Sequence, residues 1–235
     1  MVKKLEKKRS YDQFCSLARA MDRLGERWTL LIVRSLLLGP KRYSELLEEL
    51  PGITTNLLAE RLKHLLTMGL IERRTAPGRS AKSVSYALAP LGAALEPAIM
   101  ELGRWGGRFM DAPKKTDTVN IAWGLISMKR RYRRPFRGVV EFRIDERRFE
   151  LGFEPHYLSV QERDAARPEL VVSGELTAFQ DWLFRNASAP RLRRSGRLTV
   201  SGRARVWGHL IRAFSPLPSA ASSTGPSAGG TLRKG

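Results

Sequence analysis

One cysteine, Cys15, occurs in 235 residues, so no intrachain disulfide can form. Histidine is almost as scarce. His64, His156 and His209 are well separated, and no Cys/His cluster has metal-ligand spacing. No metal and no cofactor is expected. No run approaches the roughly 18 apolar residues of a membrane span. The start, MVKKLEKKRSYDQFC, is charged but is not followed by the apolar core of a signal peptide. These absences point to a cytoplasmic protein without a membrane partner. Acidic residues are also in short supply, 23 against 42 basic, for a formal net charge of +19. Such a surplus concentrates polyanions around the protein, nucleic acid first among them. A GC-rich genome would also favour the excess of arginine over lysine, 31 to 11, so charge alone does not decide the matter.

What is present is an ordinary globular composition, 42% hydrophobic and 28% charged, in a length that suits one or two domains. Residues 1–10 read as a basic arm. Tyr11 to Leu24 places Phe14, Leu17, Ala18, Met21 and Leu24 at helical spacing and stops at Gly25. Trp28 to Leu38 is nearly all apolar, a buried helix closed by Gly39-Pro40, and a short helix follows over Tyr43 to Leu50. The next helix spans 54–68, with Thr54 as its N-cap. Leu70 to Thr75 and Val84 to Leu88 alternate as strands of a hairpin with a basic loop. A last helix runs from Pro90 to about Met110, with Leu91, Leu95, Ile99, Leu102, Trp105 and Phe109 on one face.

The polar stretch 111–118 reads as a linker between a first domain, 11–110, and a second, 119–214. The second domain opens on an apolar stretch, Val119 to Met128, and a run with six basic residues in nine, Lys129 to Arg137. That run fits an anion contact or a solvated face. Alternating strands, an amphipathic helix over Thr177 to Asn186, a strand at Arg197 to Ser201 and a closing helix from Arg203 to Phe214 make this half α+β. Residues 215–235 hold 12 Ser, Gly or Pro in 21 and read as a disordered tail. No catalytic constellation appears, so an enzyme is not expected.

The helix 54–68 has two unlike faces. Leu58, Leu62, Leu65 and Leu66 form one stripe, while Asn56, Glu60, Lys63 and Thr67 form the other, with His64 beside it. Helix, turn, amphipathic helix and basic hairpin in that order make a winged helix-turn-helix, whose second helix lies in the DNA major groove. The segments GERWTLLIVRSLLLGP, RYSELLEELPGIT, LAERLKHLLTMGLIERR and YALAPLGAAL, with the early cysteine, resemble the HxlR family of bacterial winged-helix transcriptional regulators, relatives of the MarR type. The resemblance covers about residues 11–110. It implies a homodimeric repressor or activator that binds double-stranded DNA and pairs through the first and last helices of that domain.

Thr55 and Asn56, at the helix start, are candidates for base edges, because Asn can read adenine with two hydrogen bonds. Lys63 and His64 lie one or two turns on and can reach a base or a phosphate. Glu60 and Arg61 read equally well as an intradomain ion pair or as base contacts. Lys41, Arg42, Tyr43 and Ser44 begin the preceding helix, where phosphate contacts form. Arg73 and Arg74, and Arg79 and Lys82 on the wing at 75–83, are further backbone candidates. Some regulators resembling this chain sense oxidants or electrophiles through the N-terminal cysteine, which makes Cys15 a candidate sensor, with Arg19 one turn away to favour the thiolate. As a small apolar residue, Cys15 also fits a buried helix face.

The segment from Glu169 to Leu183 and the SGRLTVSG before the last helix resemble the sterol-carrier-protein-like fold. That likeness implies a domain for an apolar effector, with Phe142, Phe153, Phe179, Trp182 and Leu183 lining its pocket. The same residues fit a plain hydrophobic core. A lipid or apolar-ligand carrier whose N-terminal half serves only dimerisation is the competing interpretation. A carrier has no need of a basic wing or a polar helix face.

Overall fold

The structure, a computed structural model, describes residues 10–75, 84–110, 117–132, 136–185 and 187–214. Helix α1 (Ser16–Leu24) starts later than its apolar spacing suggests. The chain before it is folded back, with Tyr11 N–H and the Ser10 hydroxyl donating to the Asp22 carboxylate at 2.9 and 3.1 Å. Asp22 thus holds residues that would otherwise extend the helix. α2 (Thr29–Leu36) is the central buried helix, with Ile32 and Val33 fully buried. A two-residue strand, β1 (Lys41–Arg42), leads directly into α3 (Tyr43–Glu49).

The two-faced segment forms α4 (Thr55–Thr67), and Thr54 caps it by accepting from Leu57 N–H at 3.3 Å. It ends in a Schellman motif. Leu70 N–H donates to Leu65 C=O and Gly69 N–H to Leu66 C=O, both at 3.0 Å. Gly69 takes φ +66°, the left-handed backbone this motif requires and an L side chain resists. The chain then makes the antiparallel hairpin β2 (Ile71–Thr75) and β3 (Val84–Leu88), and β1 pairs with the far side of β3 to give the order β1-β3-β2. The expected last helix is divided into α5 (Pro90–Ala93) and α6 (Glu96–Gly106), because Pro97 has no N–H to carry a continuous helix through the break.

The second half begins with α7 (Ile121–Arg131). Strands β4 (Gly138–Ile144), β5 (Arg147–Glu154), β6 (Tyr157–Gln161) and β7 (Leu170–Gly174) follow, then helices α8 (Leu176–Phe184) and α9 (Ala189–Arg194), strand β8 (Leu198–Gly202) and helix α10 (Ala204–Ala213). The five strands form one mixed sheet in the order β6-β5-β4-β7-β8, with β4 and β7 parallel and the other pairs antiparallel. The α+β character is as expected. β6 and α9 had not been read from the sequence.

Two cores result. One joins Ile32, Leu46, Leu58, Leu62 and Leu65 beneath α4. The other lies between the five-stranded sheet and its helices, and it includes Leu38 from the first half, 1% exposed. The halves are therefore packed together. Glu162 N–H donates to Leu38 C=O at 2.7 Å, and Arg34 lies over the Trp123 ring at 4.4 Å.

The five residues expected to line an apolar pocket lie in this second core, where Phe142 and Phe179 are 0% exposed and Phe153 is 1%. Phe142 packs on Phe179 and Trp182 at centroid separations of 5.2 and 5.5 Å, and Leu183 is buried in the same cluster. Hydrophobic contact drives these rings together, so they are core.

Candidate nucleic-acid interface

Burial of Leu58, Leu62 and Leu65 orients α4, so Thr55, Asn56, Glu60, Lys63 and Thr67 point outward and His64 is half-buried at their margin. Three turns of helix thereby present hydroxyl, amide and ammonium groups along one line. Asn56 and Lys63 carry the longest donors on that face. Thr67 is partly engaged at home, its hydroxyl donating to Lys63 C=O at 2.9 Å.

α3 is fixed to the start of α4 by one side chain. The Tyr43 hydroxyl donates to Thr55 C=O at 2.6 Å, so Tyr43 positions the helix start. Arg42 and Ser44 are exposed beside it, and Arg42 N–H is capped by Glu45 at 2.6 Å. On the hairpin, Arg73 and Arg74 are exposed, with Arg74 paired to Glu72 at 2.8 Å. Arg79 and Lys82 lie outside the described residues.

Arg61 belongs to the fold. Its guanidinium, 11% exposed, reaches Glu26 at 2.9 Å, Glu60 at 2.7 Å and Arg27 C=O at 3.2 Å, which anchors α4 to the loop before α2. Lys41 needs a clear correction. Its ammonium is 6% exposed and held at 2.8 Å by both Glu49 and Glu162, so it faces the second half and is withdrawn from phosphate contact. Burial disfavours its charge, yet Glu49 and Glu162 outweigh that and raise its pKa. Glu162 is lowered in turn: burial opposes its charge, but hydrogen bonds from Arg147 and Lys41 prevail.

The basic run divides where it is described: Arg137 is exposed, 3.4 Å from Glu154, while the first three residues turn to the fold. Lys129 pairs with Glu96 at 2.7 Å, Arg130 donates to Gly103 C=O, and burial lowers the pKa of Arg131. These three residues hold α7 in place, and the first two tie it to α6. Sequence reasoning missed this because a charge run has no marker for the partner that will bury it.

Cys15 is exposed at the N-cap of α1, so it is not the buried helix residue that its small size also allowed. Arg19 is 3.9 Å from Asp22, one turn along the same helix. Among the described residues no group of three or more His, Cys, Asp or Glu is placed to hold a metal ion, and no helix is long and apolar enough to cross a membrane.

Residues 23–114 match a family model described as HxlR-like helix-turn-helix. The chain is 39% identical over 92 residues to the HTH-type transcriptional regulator YodB of Bacillus subtilis, spanning 39% of this chain and 81% of YodB. It is 37% identical over 93 residues to YvaP of the same organism, an uncharacterised HTH-type transcriptional regulator, spanning 40% and 85%. A solved putative transcriptional regulator of the MarR family from Porphyromonas gingivalis W83 is 32% identical, with coverage of 43% and 99% and a TM-score of 0.40. The named relatives are regulators and not enzymes.

Proposed function

This chain belongs to the HxlR-like helix-turn-helix family, and from that premise we propose that it is a sequence-specific transcriptional regulator that binds DNA as a homodimer. The observation that carries the reading is the outward face of α4. Thr55 and Asn56 meet base edges at its start, Lys63 and His64 reach the next bases or phosphates, and Arg42, Ser44, Arg73 and Arg74 engage the flanking backbone. Tyr43 sets the angle at which α4 enters the groove.

The dimer follows from unpartnered apolar surface. Phe14 and Leu17 on the α1 side and Leu102 and Trp105 on α6 belong to the apolar faces of the first and last helices, and all are more than half exposed in the single chain. A second copy covers them and spaces two α4 helices along the duplex. Cys15, exposed at the head of α1, stands beside that surface and is the candidate sensor. The second half, with its mixed sheet and closing helices, is a sterol-carrier-like module in regulatory service.

The test is fluorescence anisotropy with the duplex upstream of the protein's own gene against a scrambled duplex. A preference of about a thousandfold is expected of specific recognition. Equal affinities that both vanish with salt would reduce the +19 charge to a generic polyanion trap.

A further inference from the structure

Between α3 and the edge of the five-stranded sheet lies a cavity of about 470 Å³, lined by Pro40, Lys41, Glu45, Glu48, Glu49, Asn120, Arg147 and Glu162. It is acidic in a strongly basic protein. Glu45, Glu48 and Glu49 stand at i, i+3 and i+4 of α3, on one side of the helix, and Glu162 comes from the opposite half. Lys41 and Arg147 are the cations among them, and Arg34 attracts Glu49 as well.

The charges are not evenly matched. Glu162 is satisfied, holding Lys41 at 2.8 Å and Arg147 at 2.7 Å through different oxygens. Glu49 is not. Its side chain is 10% exposed and Oε1 binds Lys41 at 2.8 Å and lies 3.7 Å from Arg147, but Oε2 is buried with no hydrogen-bond partner. A buried carboxylate oxygen left unpaired costs free energy that an N–H donor would recover. Glu48 is exposed at the same wall. The unpaired Oε2 and the exposed Glu48 carboxylate together suit a cation that brings several N–H donors.

We propose that this junction is an effector site for a small organic ammonium ion, held by Glu48 and by Glu49 after rotation of its carboxylate, with Glu45 at the rim. The volume lies in the ordinary range of small-molecule sites, and domain junctions are where such sites concentrate. Because α3 carries these carboxylates and Tyr43 ties α3 to α4, occupancy bears on the helix that meets DNA. This inference rests on the regulator reading for its effect, but not for its binding chemistry.

Calorimetry on the full chain, without DNA, tests the site with 1,4-diaminobutane as probe and tetramethylammonium, which has no N–H, as control. We expect one saturable site for the diamine, weakened about tenfold in Glu48→Gln and in Glu49→Gln and unchanged in Glu146→Gln. No saturable binding in the millimolar range, or wild-type affinity in both site variants, overturns the proposal. Should Glu49→Gln fail to fold, Glu48→Gln still decides, since Glu48 is exposed. Anisotropy with the selective duplex then reads the effect. A severalfold change in DNA affinity with diamine in wild type, absent in Glu48→Gln, supports effector action, and identical responses overturn it. Loss of sequence selectivity with calorimetric binding intact would instead sink the regulator reading alone.

Discussion

At the scale of single residues, the proposed interface divides into groups that touch DNA and groups that hold them in place. Lys63 stands exposed on α4. Replacing it with alanine should weaken binding and reduce the salt slope, log affinity against log salt, by about one. An unchanged slope would remove Lys63 from the phosphate contacts. Tyr43 acts through Thr55. Tyr43→Phe keeps the ring and deletes the hydroxyl that donates to Thr55 C=O at 2.6 Å. It should cost about 1 kcal/mol in chemical denaturation and should lower DNA affinity, with the salt slope preserved. A lowered slope would instead mean that the hydroxyl reaches a phosphate itself.

At the scale of elements, α1 and α6 show how far a helical pattern can be read. Apolar spacing correctly announces that each has a face to hide. It does not say whether the cover comes from the same chain. Phe14 is 107% exposed, and Trp105, though edge-on to Phe109 at 4.8 Å, is still 61% exposed. Trp105→Glu should therefore shift the protein to a monomer by light scattering while its melting curve stays cooperative. A variant that remains dimeric would move the interface elsewhere. Helix α4 was the most legible element, since N-cap Thr54, the leucine stripe and the Gly69 stop all appear in local sequence and all agree. β1 was not legible, because a two-residue strand has no periodicity and exists only by pairing with β3.

At the scale of the whole molecule, the two halves share buried charge. Lys41→Ala would leave Glu49 buried opposite no lysine and Glu162 with Arg147 alone, at a cost of about 3 kcal/mol. Lys41→Met fills the volume but leaves the same carboxylates, so thermal melts should place both variants well below wild type. If they melt like wild type, the cluster is not a structural junction. The pH response has a definite sign. Glu162 has its pKa lowered in the folded chain, so its contribution is present above the ordinary carboxylate value and is lost as pH falls through the lowered one. Glu162→Gln should flatten the acid limb of the stability profile and leave its shape near neutral pH unchanged.

Local sequence by itself determined what depends on neighbours a turn or a strand away. The helix-turn-helix and its hairpin, the polar face of α4, the α+β second half and the lack of any intrachain disulfide all follow from periodicity, caps and composition. Only the tertiary structure decided where each charge and ring goes. Lys41 and Lys129 look like surface cations in sequence, yet their side chains are withdrawn from solvent because Glu162 and Glu96, more than 30 residues away, are brought against them. The aromatics of the second half look the same whether they line a pocket or fill a core. Close packing against one another made them core. Long-range contacts are fixed by which surfaces fit, and that information is not carried in any single stretch of chain.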